Sequence, residues 1–145
     1  MIESQWKHVV EWGECDPAGI VFYPNFYRWF DTSSHQMMKV HGFGQNEMIS
    51  HYGIVGFPLI ETHAEFLQPL RWEDQVTVRS SIEKHSRRTF TIQHKIYKLT
   101  DTENLCVDGY EVRIWGIKDK ATGVMNARDL PDEFTQYLAK SPIEI

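Results

Sequence analysis

A chain of 145 residues, 41% hydrophobic and 24% charged, has the size and composition of one folded domain, and residues 1–145 are read as a single unit. Lys and Arg number 15 against 20 Asp and Glu, and the net charge of −5 argues against a nucleic-acid partner. No apolar run approaches the roughly 20 residues of a membrane span, the N-terminus lacks a secretory pattern and Cys15 and Cys106 build no disulfide framework, so a soluble cytoplasmic domain is expected.

Residues 5–14 read as a first strand. Cys15-Asp16-Pro17-Ala18-Gly19 breaks it, because Pro17 lacks an amide donor and Gly19 tolerates positive φ. Over 25–41, Phe26, Trp29, Phe30, Ser33, Met37 and Val40 recur at steps of three and four, which predicts a helix. Asn25 is the expected N-cap and Gly42 the stop. A short helix is predicted over 45–51, ended by Gly53. Residues 54–66 are strand-like, with Pro58 marking an edge or bulge. Residues 75–84 alternate through Val76, Val78, Ser80 and Ile82, and 89–99 through Phe90, Ile92, His94 and Ile96. A turn at 101–104 leads to a long strand over 105–118, and a turn at 119–123 to a short strand over 124–127. A terminal helix is predicted over 131–139, with Pro131 in its first turn. One long helix and a run of hairpin-connected strands make an α+β domain in which helix and antiparallel sheet cover each other. One helix covers little of so wide a sheet, so dimerisation is expected.

Aromatic residues, 13% of the chain, concentrate at Phe22, Tyr23, Phe26, Tyr27, Trp29 and Phe30, as suits a subunit interface or a flat apolar ligand. Just before them Asp16 sits in a Pro/Gly loop between a strand end and a helix start. A helix N-terminus presents unpaired amides and a positive dipole end, and the Tyr23 N–H has no intrahelical partner. A carboxylate beside such donors is equipped for acyl transfer without a Ser or Cys nucleophile. The plainer reading of the same residues is a turn capped by Asp16.

The segment Asp16-Pro17-Ala18-Gly19-Ile20-Val21-Phe22-Tyr23-Pro24-Asn25-Phe26-Tyr27-Arg28-Trp29-Phe30-Asp31 resembles the signature of the 4-hydroxybenzoyl-CoA thioesterase family of hotdog-fold proteins. Gly53-Ile54-Val55-Gly56-Phe57-Pro58 is similar to the family's lead into its second strand, and Arg87-Arg88-Thr89-Phe90 falls where the family has a basic pair opening a strand. The resemblance implies a hotdog fold, a sheet wrapped around one central helix. It implies Asp16 as the catalytic carboxylate, the Tyr23 backbone N–H as the donor that polarises a thioester carbonyl, and Gly19 for close approach. It also implies a homodimer or homotetramer with sites at the dimer interface, CoA along the surface, and no metal or tightly held cofactor. Asp16 would attack the carbonyl carbon to give a mixed anhydride or deprotonate an attacking water; both routes stay open. Phe22, Tyr23, Phe26 and Phe57 fit a benzoyl or hydroxybenzoyl group, so the expected reaction is hydrolysis of an aromatic acyl-CoA.

Other candidates have two readings each. Arg87 and Arg88, after Lys84 and His85, form either a solvated turn or contacts for CoA phosphates; Lys120 and Arg128 are secondary candidates. Asp31 is a solvated helix residue or an acceptor for a substrate hydroxyl. Glu61, His63 and Glu65 are a solvent row or contain the His–carboxylate pair of a hotdog dehydratase. The seven histidines show no metal spacing, Cys15 beside Asp16 makes a poor nucleophile, Met37 and Met38 read as packing, and neither a GxSxG nor a GxGxxG motif is present. The alternatives are a thioesterase for short or medium aliphatic acyl-CoA or acyl carrier protein, a dehydratase using His63, and a non-catalytic acyl-CoA-binding module.

Overall fold

The computed structural model describes residues 2–140. Its strands are β1 (Glu3–Val9), β2 (Leu59–Phe66), β3 (Gln75–His85), β4 (Thr89–Leu99), β5 (Glu103–Lys118) and β6 (Met125–Arg128); its helices are α1 (Pro24–Val40), α2 (Gln45–Tyr52) and α3 (Asp132–Ala139). The strands form one antiparallel sheet in the order β1-β3-β4-β5-β2, and β6 pairs with the end of β5. Among the described residues no helix is long and apolar enough to cross a membrane.

Helix α1 packs against β1 and β3. Its inward stripe, Phe26, Trp29, Phe30, Ser33, Ser34, Met37 and Met38, is buried, and each large apolar side chain there stabilises the fold by about 1.5–3 kcal/mol. Pro24 opens the helix at a position where a missing N–H costs nothing. After it, Gly42 takes a left-handed φ of 86° that ends the run. Phe30 shows how closely helix and sheet approach. Its ring stacks on His94 with centroids 4.5 Å apart, directly over Gly109, which pairs with His94 between β4 and β5. A Cβ on Gly109 would meet the His63 carbonyl and lie 2.7 Å from Phe30 Cε2.

Three boundaries differ from the sequence expectation. β1 ends at Val9, and Trp12–Glu14 forms a 3-10 turn, because the Glu14 carboxylate accepts the Glu11 N–H at 2.8 Å and curls the chain. β2 starts at Leu59 rather than 54, since Pro58 cannot donate, the Phe57 carbonyl is taken by Arg113 at 2.9 Å and only Gly56 bridges to Gly116. Asn25 lies inside α1, with Tyr23 as N-cap; the Asn25 side chain instead donates to the Glu14 carbonyl at 2.9 Å. The alternation expected along β3 and β4 appears as drawn, with Val76, Val78, Ser80, Ile82, Phe90, Ile92, His94 and Ile96 all buried.

The Gly109 contact yields an expected outcome. Gly109→Ala lowers stability by about 1–3 kcal/mol, as overpacking does, read as a lower urea midpoint. Gly13→Ala, where an added Cβ meets nothing within 4 Å, leaves the midpoint unchanged.

Candidate active site

The segment between β1 and α1 is a folded hairpin. The Phe22 N–H donates to the Glu14 carbonyl at 2.8 Å, Cys15 bridges Val21, and the Asp16 N–H donates to the Ile20 carbonyl at 3.0 Å. At the tip Gly19 adopts φ 79°, open to a residue without Cβ, and its N–H closes on the Asp16 carbonyl at 2.9 Å. Asp16 is half-buried. Its Oδ1 accepts the Ala18 N–H at 2.8 Å, so the turn-capping role is real. One oxygen holds the turn, and the other has no hydrogen-bond donor among the described residues.

The start of α1 narrows its donors to one. Pro24 has no N–H. The Asn25 N–H donates to the Phe22 carbonyl at 3.0 Å and the Phe26 N–H to the Tyr23 carbonyl at 3.1 Å. Among the described residues nothing accepts from the Tyr23 N–H, which has the positive end of the helix dipole behind it. Tyr23 lines an apolar cavity of about 250 Å³, together with Ile20, Val21, Phe26, Phe66 and Leu70 among others. Phe26 is its buried wall and Phe66 leans on Phe26 at 5.4 Å. Phe22 packs edge-on against Tyr23 at 5.4 Å and is half-exposed. Asp16 does not itself line this cavity; it sits on the other leg of the hairpin.

Glu14 joins these pieces. Its buried carboxylate accepts from Glu11 N–H at 2.8 Å, His8 Nε2 at 2.7 Å and Trp29 Nε1–H at 2.6 Å. Burial pushes its pKa up, but the hydrogen bonds from Glu11, His8 and Trp29 outweigh that and hold the carboxyl below its ordinary value.

A second polar network runs through the core. Burial keeps His94 below its ordinary pKa against the pull of Glu111, which favours the neutral ring. Burial raises Glu111, yet His94 and Arg113 more than reverse it. A carboxylate only accepts, so His94 Nε2–H donates to Glu111 at 3.0 Å. His94 Nδ1 then accepts from Ser80 Oγ at 2.6 Å, and Ser80 from Ser33 Oγ at 2.6 Å. Ser34 Oγ donates to Glu111 at 3.2 Å. Arg113 Nε meets Glu111 at 2.5 Å, and Arg113 Nη2 reaches Asp31 at 2.7 Å. Asp31, its side chain 59% exposed, lines a separate hollow of about 500 Å³ with Pro24, Tyr27 and Thr62. A hydrogen bond with His35 lowers its pKa, burial opposes and Arg113 adds to the lowering, for a value of about 2.

The remaining candidates lie apart from the hairpin. Phe57 lies outside the cavity beside Tyr23, its ring buried against Phe90 and Trp115 in the core. Arg87 and Arg88 are exposed and share Asp129, at 3.5 and 2.8 Å. His63 is exposed on β2, stacked on Tyr110 and 3.8 Å from Glu65, while Glu61 accepts from the Tyr110 hydroxyl at 2.8 Å; the two do not form a dyad. Among the described residues no group of three or more His, Cys, Asp or Glu is arranged to hold a metal. The residues that sequence reasoning passed over are Glu14, His8, Glu111 and Arg113. The signal for Glu111 and Arg113 was a histidine, His94, standing in an otherwise apolar strand face; Glu14 and His8 carried none.

Comparison with known proteins follows the same lines. The family model described as the thioesterase-like superfamily matches residues 10–138. The 4-hydroxybenzoyl-CoA thioesterase of Pseudomonas sp. (strain CBS-3) is 30% identical over 113 residues, covering 76% of this chain and 80% of that protein. A crystal structure of an Asp-to-Asn mutant of 4-hydroxybenzoyl CoA thioesterase, complexed with 4-hydroxybenzoyl CoA, superposes with a TM-score of 0.88 at 25% identity over 96% of this chain and 100% of that one. A gentisyl-coenzyme A thioesterase gives a TM-score of 0.78 at 31% identity over 94% of this chain and 100% of that one.

The Asp31–Arg113 pair makes a pH prediction. A carboxyl whose folded-state pKa is about 2, against an ordinary 3.8, contributes stability that is complete above the ordinary value and lost as pH falls toward 2. Asp31→Asn therefore removes part of the decline in Tm between about pH 4 and 2, measured by calorimetry; a decline identical to wild type contradicts the assignment.

With a central helix backed by an antiparallel sheet, a family model spanning most of its length and relatives of this kind, the chain belongs to the thioesterase-like superfamily, has the hotdog fold and is an acyl-CoA thioesterase.

Proposed function

We propose that the protein hydrolyses an aromatic acyl-CoA to the free acid and CoA at the hairpin and helix start just described. The observation that carries this reading is a Tyr23 N–H that no described residue accepts, at a residue lining a small apolar cavity, with a half-tied Asp16 earlier in the same hairpin. The thioester carbonyl oxygen accepts from the Tyr23 N–H, which stabilises the oxyanion as the carbonyl carbon becomes tetrahedral; one such donor is typically worth about 10²–10³ in rate. The Asp16 carboxylate either adds to that carbon, expelling CoA as a thiolate and leaving an acyl anhydride for water to open, or takes the proton of an attacking water. The chemistry calls for no further cofactor.

Size supports a compact acyl group. A cavity of about 250 Å³ is smaller than the roughly 300–1,000 Å³ of pockets for drug-sized ligands, and Phe26 and Phe66 offer ring faces and edges to a flat group. The relatives named for 4-hydroxybenzoyl-CoA and gentisyl-coenzyme A accord with such a substrate, and an Asp-to-Asn mutant complexed with its CoA thioester accords with an essential aspartate. Arg87 and Arg88 supply charge-assisted contacts for CoA phosphates, displacing Asp129. A second copy of the chain completes the site along β2. Leu59, Ile60, Phe66 and Leu67 are exposed there, and an apolar sheet edge of this kind calls for cover.

Turnover of a panel of CoA thioesters, followed with a thiol-trapping dye, tests the reading. Aromatic thioesters are the best substrates, and Asp16→Asn lowers kcat about 10²-fold or more with the circular dichroism spectrum unchanged; full activity in that variant overturns the mechanism. Arg88→Ala raises KM and weakens its salt dependence, and an unchanged KM removes the phosphate contact.

A further inference from the structure

We infer that Glu14 is a positioning residue for thioester hydrolysis, the one group whose contacts set where the Asp16 carboxylate stands relative to the Tyr23 amide. The inference rests on the reading of Asp16 and Tyr23 proposed above. Glu14 is 7% exposed, and it fastens three segments. Its carboxylate binds His8 on β1, the Glu11 N–H in the 3-10 turn and the Trp29 indole N–H on α1. Its carbonyl binds the Phe22 N–H on the returning leg and the Asn25 side chain in the first turn of α1. Asp16 follows Glu14 by two residues, and Tyr23 stands between Phe22 and Asn25. The carboxylate and the amide are therefore referred to one anchor from both sides. That anchor is itself rigid: the His8 ring stacks on Trp6 at 4.9 Å and tilts against Trp29 at 5.0 Å.

A carboxylate suits this place because every neighbour donates. Glutamine cannot replace it cleanly, since the Glu11 and Trp29 N–H groups lie on different oxygens and the amide nitrogen must face one of them. Displacement of reacting groups by about 1 Å can lower a rate on the order of 10²-fold.

The experiment compares Glu14→Gln, Glu14→Asp and Asp16→Asn with wild type. Active sites are counted by titration with a non-hydrolysable thioether analogue of the best substrate. In Glu14→Gln, kcat per titrated site falls roughly 10- to 100-fold while KM stays within about twofold. Glu14→Asp, which keeps the charge and both acceptor oxygens, recovers part of that loss. A purely structural role would lower Tm or the number of titrated sites and leave kcat per site alone; that result overturns the proposal. Where Asp16→Asn is inactive and Glu14→Gln turns over like wild type, the positioning role fails and the reading of the site stands. Where Asp16→Asn is fully active, the reading of the site itself fails. If Glu14→Gln does not fold, Trp29→Phe decides, because it deletes one donor to Glu14: kcat per site drops about threefold or more, and an unchanged value overturns the proposal.

Discussion

A carboxylate taken out of water is destabilising by several kcal/mol unless donors replace its hydration, and at Glu14 the replacements come from a strand, a turn and a helix at once. This requirement shapes everything nearby. It curls the end of the first strand into a 3-10 turn, folds the Asp16 loop into a hairpin, and seats the first turn of α1 on the Glu14 carbonyl. The hairpin and the helix start are consequently tied by hydrogen bonds to the same residue.

A second set of polar pins grips α1 farther along. Ser33 and Ser34 bind Ser80, His94 and Glu111 beneath the apolar stripe, and Arg113 carries the network out to Asp31. Apolar burial is non-directional, so Phe26, Trp29 and Phe30 alone would tolerate some sliding or rotation of the helix. Directed hydrogen bonds at two places along it do not. The stack of Phe30 on His94 over Gly109 adds a steric stop between them.

Much of this architecture is legible in the residues themselves. The three-four spacing from Phe26 to Val40 and the alternation in β3 and β4 are local, and local periodicity survives folding. The Asp16–Tyr23 segment is legible for the same reason, since the hairpin and the helix start are neighbours in the chain. What escapes are features settled by distant partners. The end of β1 depends on where Glu14 finds its donors, and the start of β2 on Arg113 taking the Phe57 carbonyl. Asp31 and Arg113 are 82 positions apart, so no spacing rule joins them. Phe57 stands in an apolar stretch punctuated by Gly53, Gly56 and Pro58, and only the assembled core reveals that its ring packs against Phe90 and Trp115.

The unclaimed donor at the head of α1 belongs to the main chain, not to the phenol of Tyr23. Genetic drift at position 23 can swap the ring for another shape and retune what fits beside Phe26 and Phe66, while the amide persists in every amino acid but proline. Under the proposed function, side-chain shape and hydrogen-bond donation at this position are therefore separable by substitution.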